Sequence, residues 1–183
     1  MGKVLYVANF PPETDTEALR VLFAEHGEIV SFDMENDART QQHYALVEMK
    51  SEKQTTRAMN ELNGYTLAGH RLAVSPAVPE LSKDITARQR KIAAQIIEAL
   101  EEEDKIPVRQ IAAIVRFCGG QFAQAILEEA LELDAGEGLP TTDGSRRRTK
   151  GGVFFYLARY RMSPAVRKIV YNRKGKVPGE KYD

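Results

Sequence analysis

The sequence predicts two domains, an α+β domain followed by an all-helical one. Apolar residues alternate with period two in short segments of the first half, and they recur three and four positions apart in the second half. Two prolines between residues 75 and 80 separate the two patterns and indicate a short, stiff linker. The expected limits are a first domain at residues 1–76, a linker at 77–84, a helical domain at 85–172 and a basic flexible tail at 173–183.

The first half predicts the element order βαββαβ. The segments are a strand at residues 3–8, a helix at 16–26, strands at 28–34 and 42–49, a helix at 52–62 and a strand at 71–74. Gly27 ends the first helix, a polar loop at 35–41 joins the second and third strands, and Ser51 is a suitable cap for the second helix. This order is that of a ferredoxin-like α+β sandwich, in which one sheet face packs on two helices and the other stays open.

The second half predicts five helices whose apolar stripes form a core. They lie at about residues 86–103 and 108–118, after the Gly119–Gly120 pair, from the cap Thr149 to about Arg161, and from the cap Ser163 to about Tyr171. Pro107 suits the first position of the second of these helices. The core residues expected in the third and fourth are Phe122, Ile126, Leu127, Leu131, Val153, Phe154 and Leu157.

Several segments of the first half resemble the RNA recognition motif family. Residues 5–10 are similar to that family's first-strand hexapeptide, and residues 42–49 occupy the place of its third-strand octapeptide. Residues 58–64 and 67–74 are similar to its second helix and last strand. The resemblance covers about residues 2–76 and implies a sheet that contacts RNA.

Alternation along the strands predicts which side chains can meet a base. If Leu5 and Val7 face inward, then Tyr6, Tyr44 and Leu46 face outward. The resemblance implies base stacking by the two tyrosines, whereas Leu46 replaces a third aromatic of the family. A stacked base contributes about 1–3 kcal/mol. Residues 1–80 hold 7 basic and 12 acidic side chains, so we expect a weak or auxiliary RNA contact. The alternative is a sheet that docks a protein partner.

A basic block lies at the other end of the chain. Lys plus Arg and Asp plus Glu are balanced at 26 each, but residues 144–183 hold 12 basic and 2 acidic side chains. Residues 144–157 resemble the signature of the RNA-binding domain of the phosphorylated adaptor for RNA export, although Lys150 stands where that family is expected to carry proline. The resemblance covers about residues 84–172 and implies an all-helical domain that binds mainly single-stranded RNA.

The residues before the fourth helix are suited to binding RNA. Thr149 can cap the helix, and the first-turn N–H groups beside Gly151 and Gly152 can reach a phosphate. Three arginines offer forked donors to phosphates and flat surfaces to bases. The alternative is a solvated basic loop or a nuclear import signal. The RNA-binding residues predicted for the whole chain are Tyr6, Tyr44, Leu46, Ser145, Arg146, Arg147, Arg148, Thr149, Lys150, Gly151, Gly152 and Arg159.

The sequence gives no pattern for catalysis, a metal or a cofactor. The acidic runs at 101–104 and 128–129 have no histidine at ligand spacing, and Cys118 sits in an apolar run that predicts an inert buried thiol. No apolar segment approaches the roughly 18 residues of a membrane span. We therefore expect an intracellular RNA-binding protein without enzymatic activity, cytoplasmic, or nuclear in a eukaryote. The rival is an adaptor whose first domain binds a protein while the second holds RNA.

Overall fold

The computed structural model describes residues 3–37, 42–81 and 84–172. The chain divides into two compact units, of which the first takes in residues up to Glu80 together with Arg161–Lys168. The second takes in Leu81–Tyr160 and the residues from Ile169 on. Within the described ranges, no helix has the length and apolar character needed to cross a membrane. The predicted tail at 173–183 lies outside the described residues, as do the predicted loop residues 38–41 and the linker residues 82–83.

A four-stranded antiparallel sheet with two helices forms most of the first unit. Its elements are β1 (Val4–Ala8), α1 (Thr16–Ala24), β2 (Ile29–Asp37), β3 (Gln42–Met49), α2 (Glu52–Leu62), β4 (Thr66–Leu67), β5 (His70–Arg71) and β6 (Ala73–Pro76). The sheet order is β2-β3-β1-β6, and β4 pairs separately with β5. The predicted βαββαβ sandwich is therefore confirmed, with one small hairpin added before its last strand.

The last strand begins at Ala73, so the prediction that it begins at Arg71 is wrong. Residues 66–71 instead form a hairpin with a two-residue turn, in which Ala68 and Gly69 both have positive φ, 46° and 82°. Positive φ at both central residues is the type I′ geometry that suits the twist of paired strands. Pro76 is tolerated at the end of β6 because this strand lies at the sheet edge.

The core of the first unit lies between the sheet and the two helices. Helix α2 has the predicted bounds, and Ser51 Oγ accepts a hydrogen bond from Gln54 N at 3.3 Å. The core cluster comprises Leu5, Val7, Phe10, Leu19, Phe23, Ala45, Val47, Met49, Ala58, Leu62, Leu72 and Val74. Burial of a large apolar side chain contributes about 1.5–3 kcal/mol, so this cluster fixes which face of the sheet packs on the helices.

The described part of the second unit is mainly helical. Its helices are α3 (Ala87–Leu100), α4 (Lys105–Cys118), α5 (Gly120–Ala135) and α6 (Lys150–Arg161), and the last helix, α7 (Pro164–Val170), falls across the two units. Helix α4 begins earlier than predicted, so Pro107 is its third residue rather than its first. Proline is still accommodated because first-turn N–H groups have no partner within the helix.

Side-chain caps begin three of these helices, and the caps of α6 and α7 are the predicted ones. Thr86 and Gln89 form a capping box at α3, Thr149 Oγ1 accepts from Gly152 N at 3.1 Å, and Ser163 Oγ accepts from Val166 N at 3.3 Å. Side chains expected in the core of α6 are buried there: Val153, Phe154 and Leu157. Leu131 is 37 % exposed, so its prediction as a core residue is wrong. Its neighbour Ala130 takes the inward position on α5.

Candidate nucleic-acid interface

The open face of the sheet is the side opposite the core cluster. Strand pairing places Tyr6 opposite Leu46 and Ala8 opposite Tyr44, so these four residues share one face. Their alternate neighbours, including Leu5 and the others of the core cluster, point to the helices. The predicted division of β1 and β3 into inward and outward residues is confirmed.

Tyr6 is nevertheless buried, and the expectation that it stands exposed on the open face is wrong. It is 2 % exposed, and its ring centroid lies 4.9 Å from that of Tyr44 with the planes 26° apart. A ring in that state has no free surface for a base. Tyr44 and Leu46 are each partly exposed, so they are the part of the predicted sheet site that solvent reaches.

Acidic side chains border the exposed part of this face. Strand β2 places Asp33 opposite Leu46 and Glu35 opposite Tyr44, and both acids are exposed. The Tyr44 hydroxyl donates a hydrogen bond to the Glu35 carboxylate. Carboxylates beside a stacking ring repel the phosphates that accompany a base, so the electrostatics here oppose RNA binding.

The predicted basic segment folds as an ordered loop, the arginine loop, residues 139–149. Arg148 N donates to Leu139 O and Thr141 N donates to Arg146 O, each at 2.8 Å. An antiparallel bridge joins Pro140 to Arg147 between these two bonds. The loop thus turns back on itself like a short hairpin, and its returning arm carries the three arginines into α6.

Asp143 holds the turn of the arginine loop together. Its carboxylate accepts hydrogen bonds from Thr141 Oγ1, from Ser145 Oγ at 2.8 Å and from Ser145 N at 3.2 Å. These bonds, that from Thr141 first, lower the pKa of Asp143 to about 2. The predicted RNA-binding residue Ser145 is therefore engaged within the loop through both its hydroxyl and its amide.

The three arginines are used in different ways. Arg147 Nη2 donates a hydrogen bond to Asp134 Oδ1 at 3.3 Å. The Arg147 guanidinium also lies against Gly138, where a Cβ would collide with it. Arg148 donates from Nε to Pro140 O at 2.9 Å and from Nη2 to Thr142 Oγ1 at 3.1 Å. Among the described residues the exposed Arg146 side chain has no hydrogen-bond or ion-pair partner. Arg147 and Arg148 brace the loop, and Arg146 keeps all its donors for a ligand.

Acidic residues of the α3–α4 connection meet the start of α6. Lys150 Nζ lies 2.7 Å from Glu101 Oε1. Gly151 is buried, and a Cβ at this position would collide with Glu102 Oε1. Burial and, to a lesser degree, the nearby charge of Asp104 raise the pKa of Glu102. In this structure the space that Gly151 leaves is filled by the Glu102 side chain, which gives this glycine a packing role.

Family models match both halves of the chain. The model of the RNA recognition motif matches residues 5–73, and the model of the RNA-binding domain of the phosphorylated adapter RNA export protein matches residues 92–176. The chain contains both RNA-binding domains. The second is called the adapter-type domain below. Both families are RNA-binding families, and neither is a family of enzymes.

Individual relatives match one part of the chain each. The chloroplastic 28 kDa ribonucleoprotein of Spinacia oleracea is 37 % identical over 75 residues, 40 % of this chain and 32 % of that protein. The human phosphorylated adapter RNA export protein is 42 % identical over 76 residues, 40 % of this chain and 18 % of that protein. A structure of the Rna15 RNA recognition motif with bound RNA (GU) is 23 % identical, covers 50 % of this chain and 96 % of its own, and has a TM-score of 0.38. The chain spans about a third or less of the length of these curated relatives.

Two tyrosines of the adapter-type domain lie beside the arginine loop and were not predicted as site residues. Tyr156 is 37 % exposed, and its ring centroid lies 4.7 Å from that of Tyr160. The guanidinium carbon of Arg148 lies 4.6 Å from the Tyr156 centroid. The predicted site residue Arg159 is also exposed, but it lies over Tyr171, 5.0 Å from that ring. The i, i+4 spacing of the two tyrosines is the sequence signal that could have found them.

Cys118 is buried and free of any disulfide. Burial raises the pKa of the Cys118 thiol well above its usual range, as expected for an inert core cysteine. Within the described ranges, no group of three or more His, Cys, Asp or Glu side chains is arranged to hold a metal ion.

Proposed function

We propose that this protein binds single-stranded RNA, that the adapter-type domain supplies most of the affinity, and that the RNA recognition motif adds an auxiliary contact. The observation that carries the proposal is Arg146, an exposed arginine that has no side-chain partner among the described residues, on a loop that Arg147 and Arg148 hold in place. A pre-ordered loop loses little conformational entropy on binding, which favours affinity. The proposed domains are residues 1–76 and 85–172, in an intracellular protein.

The predicted site residues take two roles in this proposal. Those that contact RNA are Tyr44, Leu46, Arg146, Lys150, Gly152 and Arg159. Those that shape the surface are Tyr6, Ser145, Arg147, Arg148, Thr149 and Gly151. Exposure supports contact by Tyr44, Leu46, Arg146 and Arg159. Hydrogen bonds inside the loop support the shaping role of Ser145 and Arg148, because these side chains have fewer polar groups left for RNA.

Aromatic and arginine planes next to the loop support a preference for single strands. Unpaired bases can turn outward and stack on such planes, whereas an A-form duplex presents mainly its phosphates and 2′-hydroxyls. Tyr156 and Arg148 offer planes of this kind, and Arg148 lies in the arginine loop with Arg146.

The second candidate is an adaptor whose RNA recognition motif binds a protein partner while the adapter-type domain holds RNA. It is favoured by the open face of the sheet, where Tyr6 is 2 % exposed and Asp33 and Glu35 border Tyr44. Under this alternative, Tyr44→Ala leaves RNA affinity unchanged in the full chain. A loss of several-fold supports the auxiliary contact instead.

The first test compares Arg146→Gln with Arg88→Gln in the full chain. Arg88 is an exposed arginine on α3 in the same unit, so the two variants lose the same charge at different places. Titration of a labelled single-stranded RNA should show affinity falling about 10- to 150-fold for Arg146→Gln, since a hydrogen bond to a charged group is worth roughly 1.5–3 kcal/mol. Arg88→Gln should change it less than about 2-fold.

Two further measurements complete this test: RNA affinity as a function of salt concentration, and affinity for duplex RNA. Each phosphate contact on a single strand contributes about −0.7 to the slope of log affinity against log salt, so Arg146→Gln should make the slope shallower by about that amount. A duplex of the same length should bind more weakly than the single strand. Equal losses in both arginine variants would contradict the placement of the site in the arginine loop.

A further inference from the structure

We propose that Tyr156 and Tyr160, with Arg148 lying on Tyr156, form a stacking platform for one unpaired RNA base. This inference rests on the proposed function and adds a second kind of contact to it. Arg146 then pairs with a phosphate, while the platform receives the base of a nearby nucleotide.

The platform is built from one helix and the loop that precedes it. Residues four apart on a helix lie on the same face, and the Tyr156 and Tyr160 centroids are 4.7 Å apart with planes tilted by 51°. The Arg148 guanidinium carbon is 4.6 Å from the Tyr156 centroid. Two hydrogen bonds to the loop, from Nε and Nη2, fix this guanidinium in place. The planar groups are therefore positioned before any ligand arrives.

Side chains other than these two rings form the buried core of α6. Val153, Phe154 and Ala158 are 0 % exposed and anchor the helix in the core. Tyr156 is 37 % exposed, which makes it the most exposed aromatic side chain of the second unit within the described residues, and Tyr160 is partly exposed. A large ring held at the surface next to a cation is more useful for recognition than for folding.

The chemistry of the surface indicates a base rather than another ligand. A guanidinium and a phenol ring are flat and polarisable, and bases stack on both in single-stranded RNA complexes. Since Nε and Nη2 of Arg148 are already bonded, its flat surface is what it offers. Stacking of this kind tolerates any base, so the platform predicts little sequence preference of its own.

The test combines ring variants with RNA that lacks single bases. Tyr156→Leu removes the ring but keeps apolar bulk and helix propensity, whereas Tyr156→Phe keeps the ring and removes the hydroxyl. Against a single-stranded RNA of about ten nucleotides, Tyr156→Leu should lower affinity about 5- to 150-fold and Tyr156→Phe less than about 2-fold. In a scan of RNAs that each lack one base, one position should lower the affinity of the wild-type chain but leave that of Tyr156→Leu unchanged.

A control variant and three possible results test the platform. Tyr65 is an exposed tyrosine of the RNA recognition motif, 46 % accessible, and Tyr65→Leu should leave affinity unchanged. Equal losses in the Leu and Phe variants would overturn stacking in favour of a hydroxyl contact. Unchanged affinity in Tyr156→Leu, with Arg146→Gln still weakened, overturns the platform and leaves the proposed function standing. Failure of the wild-type chain to bind RNA overturns both. Melting curves of each variant show whether it is folded. If Tyr156→Leu does not fold, Tyr160→Leu takes its place in the titrations, and an unchanged affinity in that variant then overturns the platform.

Discussion

The open face of the RNA recognition motif and the arginine loop were both predicted as RNA surfaces, but their side chains are in opposite states. On the open face, Tyr6 is buried against Tyr44, and Asp33 and Glu35 border the exposed part. On the arginine loop, Arg146 is exposed and lacks a partner within the described ranges. A sequence motif therefore predicts where a side chain lies, whereas its exposure and the charges around it determine whether that side chain can bind a polyanion.

The largest expected effect separates the two tyrosines of the open face. Truncation of a buried aromatic ring costs about 3–5 kcal/mol, so Tyr6→Ala should lower the free energy of unfolding by an amount in that range. Tyr44 is partly exposed, so Tyr44→Ala should lower the free energy of unfolding by less. Its main loss is the ring contact with Tyr6, which is worth about 0.5–1.5 kcal/mol. Urea unfolding of the full chain measures both.

Tyr6→Phe is the control for this comparison, because it keeps the ring and its stacking on Tyr44. It should retain most of the stability. The contrast between the two surfaces breaks down if Tyr6→Ala unfolds like the wild-type chain while its RNA affinity falls, since that result would make Tyr6 an accessible binding residue.

The next effect concerns Gly151, where the glycine contacts Glu102 instead of open space. Alanine near a helix start gains up to about 1 kcal/mol of intrinsic stability over glycine. In the wild-type background this gain is offset, because the new Cβ must displace the Glu102 carboxylate. Gly151→Ala should therefore raise the melting temperature less in the wild-type chain than in a Glu102→Ala background.

Gly152→Ala is the matched control, since its Cβ would meet Thr149 Oγ1 and Arg148 Cβ at 3.3 and 3.4 Å and not Glu102. Its effect should be the same with or without Glu102. If Gly151→Ala raises stability equally in both backgrounds and weakens RNA binding, the space beside Gly151 is needed by RNA rather than by Glu102.

Local signals explain what the sequence could predict. The ends of α2, α6 and α7 depend on caps within three residues, Ser51, Thr149 and Ser163, and these were correctly predicted. Strand alternation likewise predicted the face on which Tyr6 lies. Each of these features depends on neighbours along the chain, and short-range physical chemistry suffices for them.

Contacts between distant residues explain the rest. Alternation assigns Tyr6 to a face but does not determine its 2 % exposure. Nothing in a run of three arginines distinguishes Arg147 from Arg146, because the difference is made by Asp134, 13 residues away. Glu102 is far from Gly151 in the sequence, and no local pattern links them. Such details follow from the packed fold and not from any motif.

The smallest expected effect tests whether the arginine loop is ordered before RNA binds. The folded pKa of Asp143 is about 2, below its ordinary 3.8, because Thr141 and Ser145 donate hydrogen bonds to the carboxylate. A depressed folded pKa gives a stabilising contribution that is present above pH 3.8 and lost as pH falls through about 2. The loop should therefore keep its conformation between pH 5 and 8. NMR titration of the Asp143 carboxyl carbon in the free protein should show a midpoint near 2, whereas a loop that orders only on binding RNA should titrate near 3.8.

At neutral pH, Asp143→Ala should weaken single-stranded RNA binding by a few-fold, because the freed loop must be ordered again on binding. Glu137→Ala removes an exposed acid from the same connection between α5 and α6 and serves as the charge control. Loss of either acid makes the region more positive, so electrostatics alone would strengthen binding in both variants. Weaker binding in Asp143→Ala alone can then arise only from lost loop order, and stronger binding in both would show that charge, rather than a preformed loop, distinguishes this surface from the sheet.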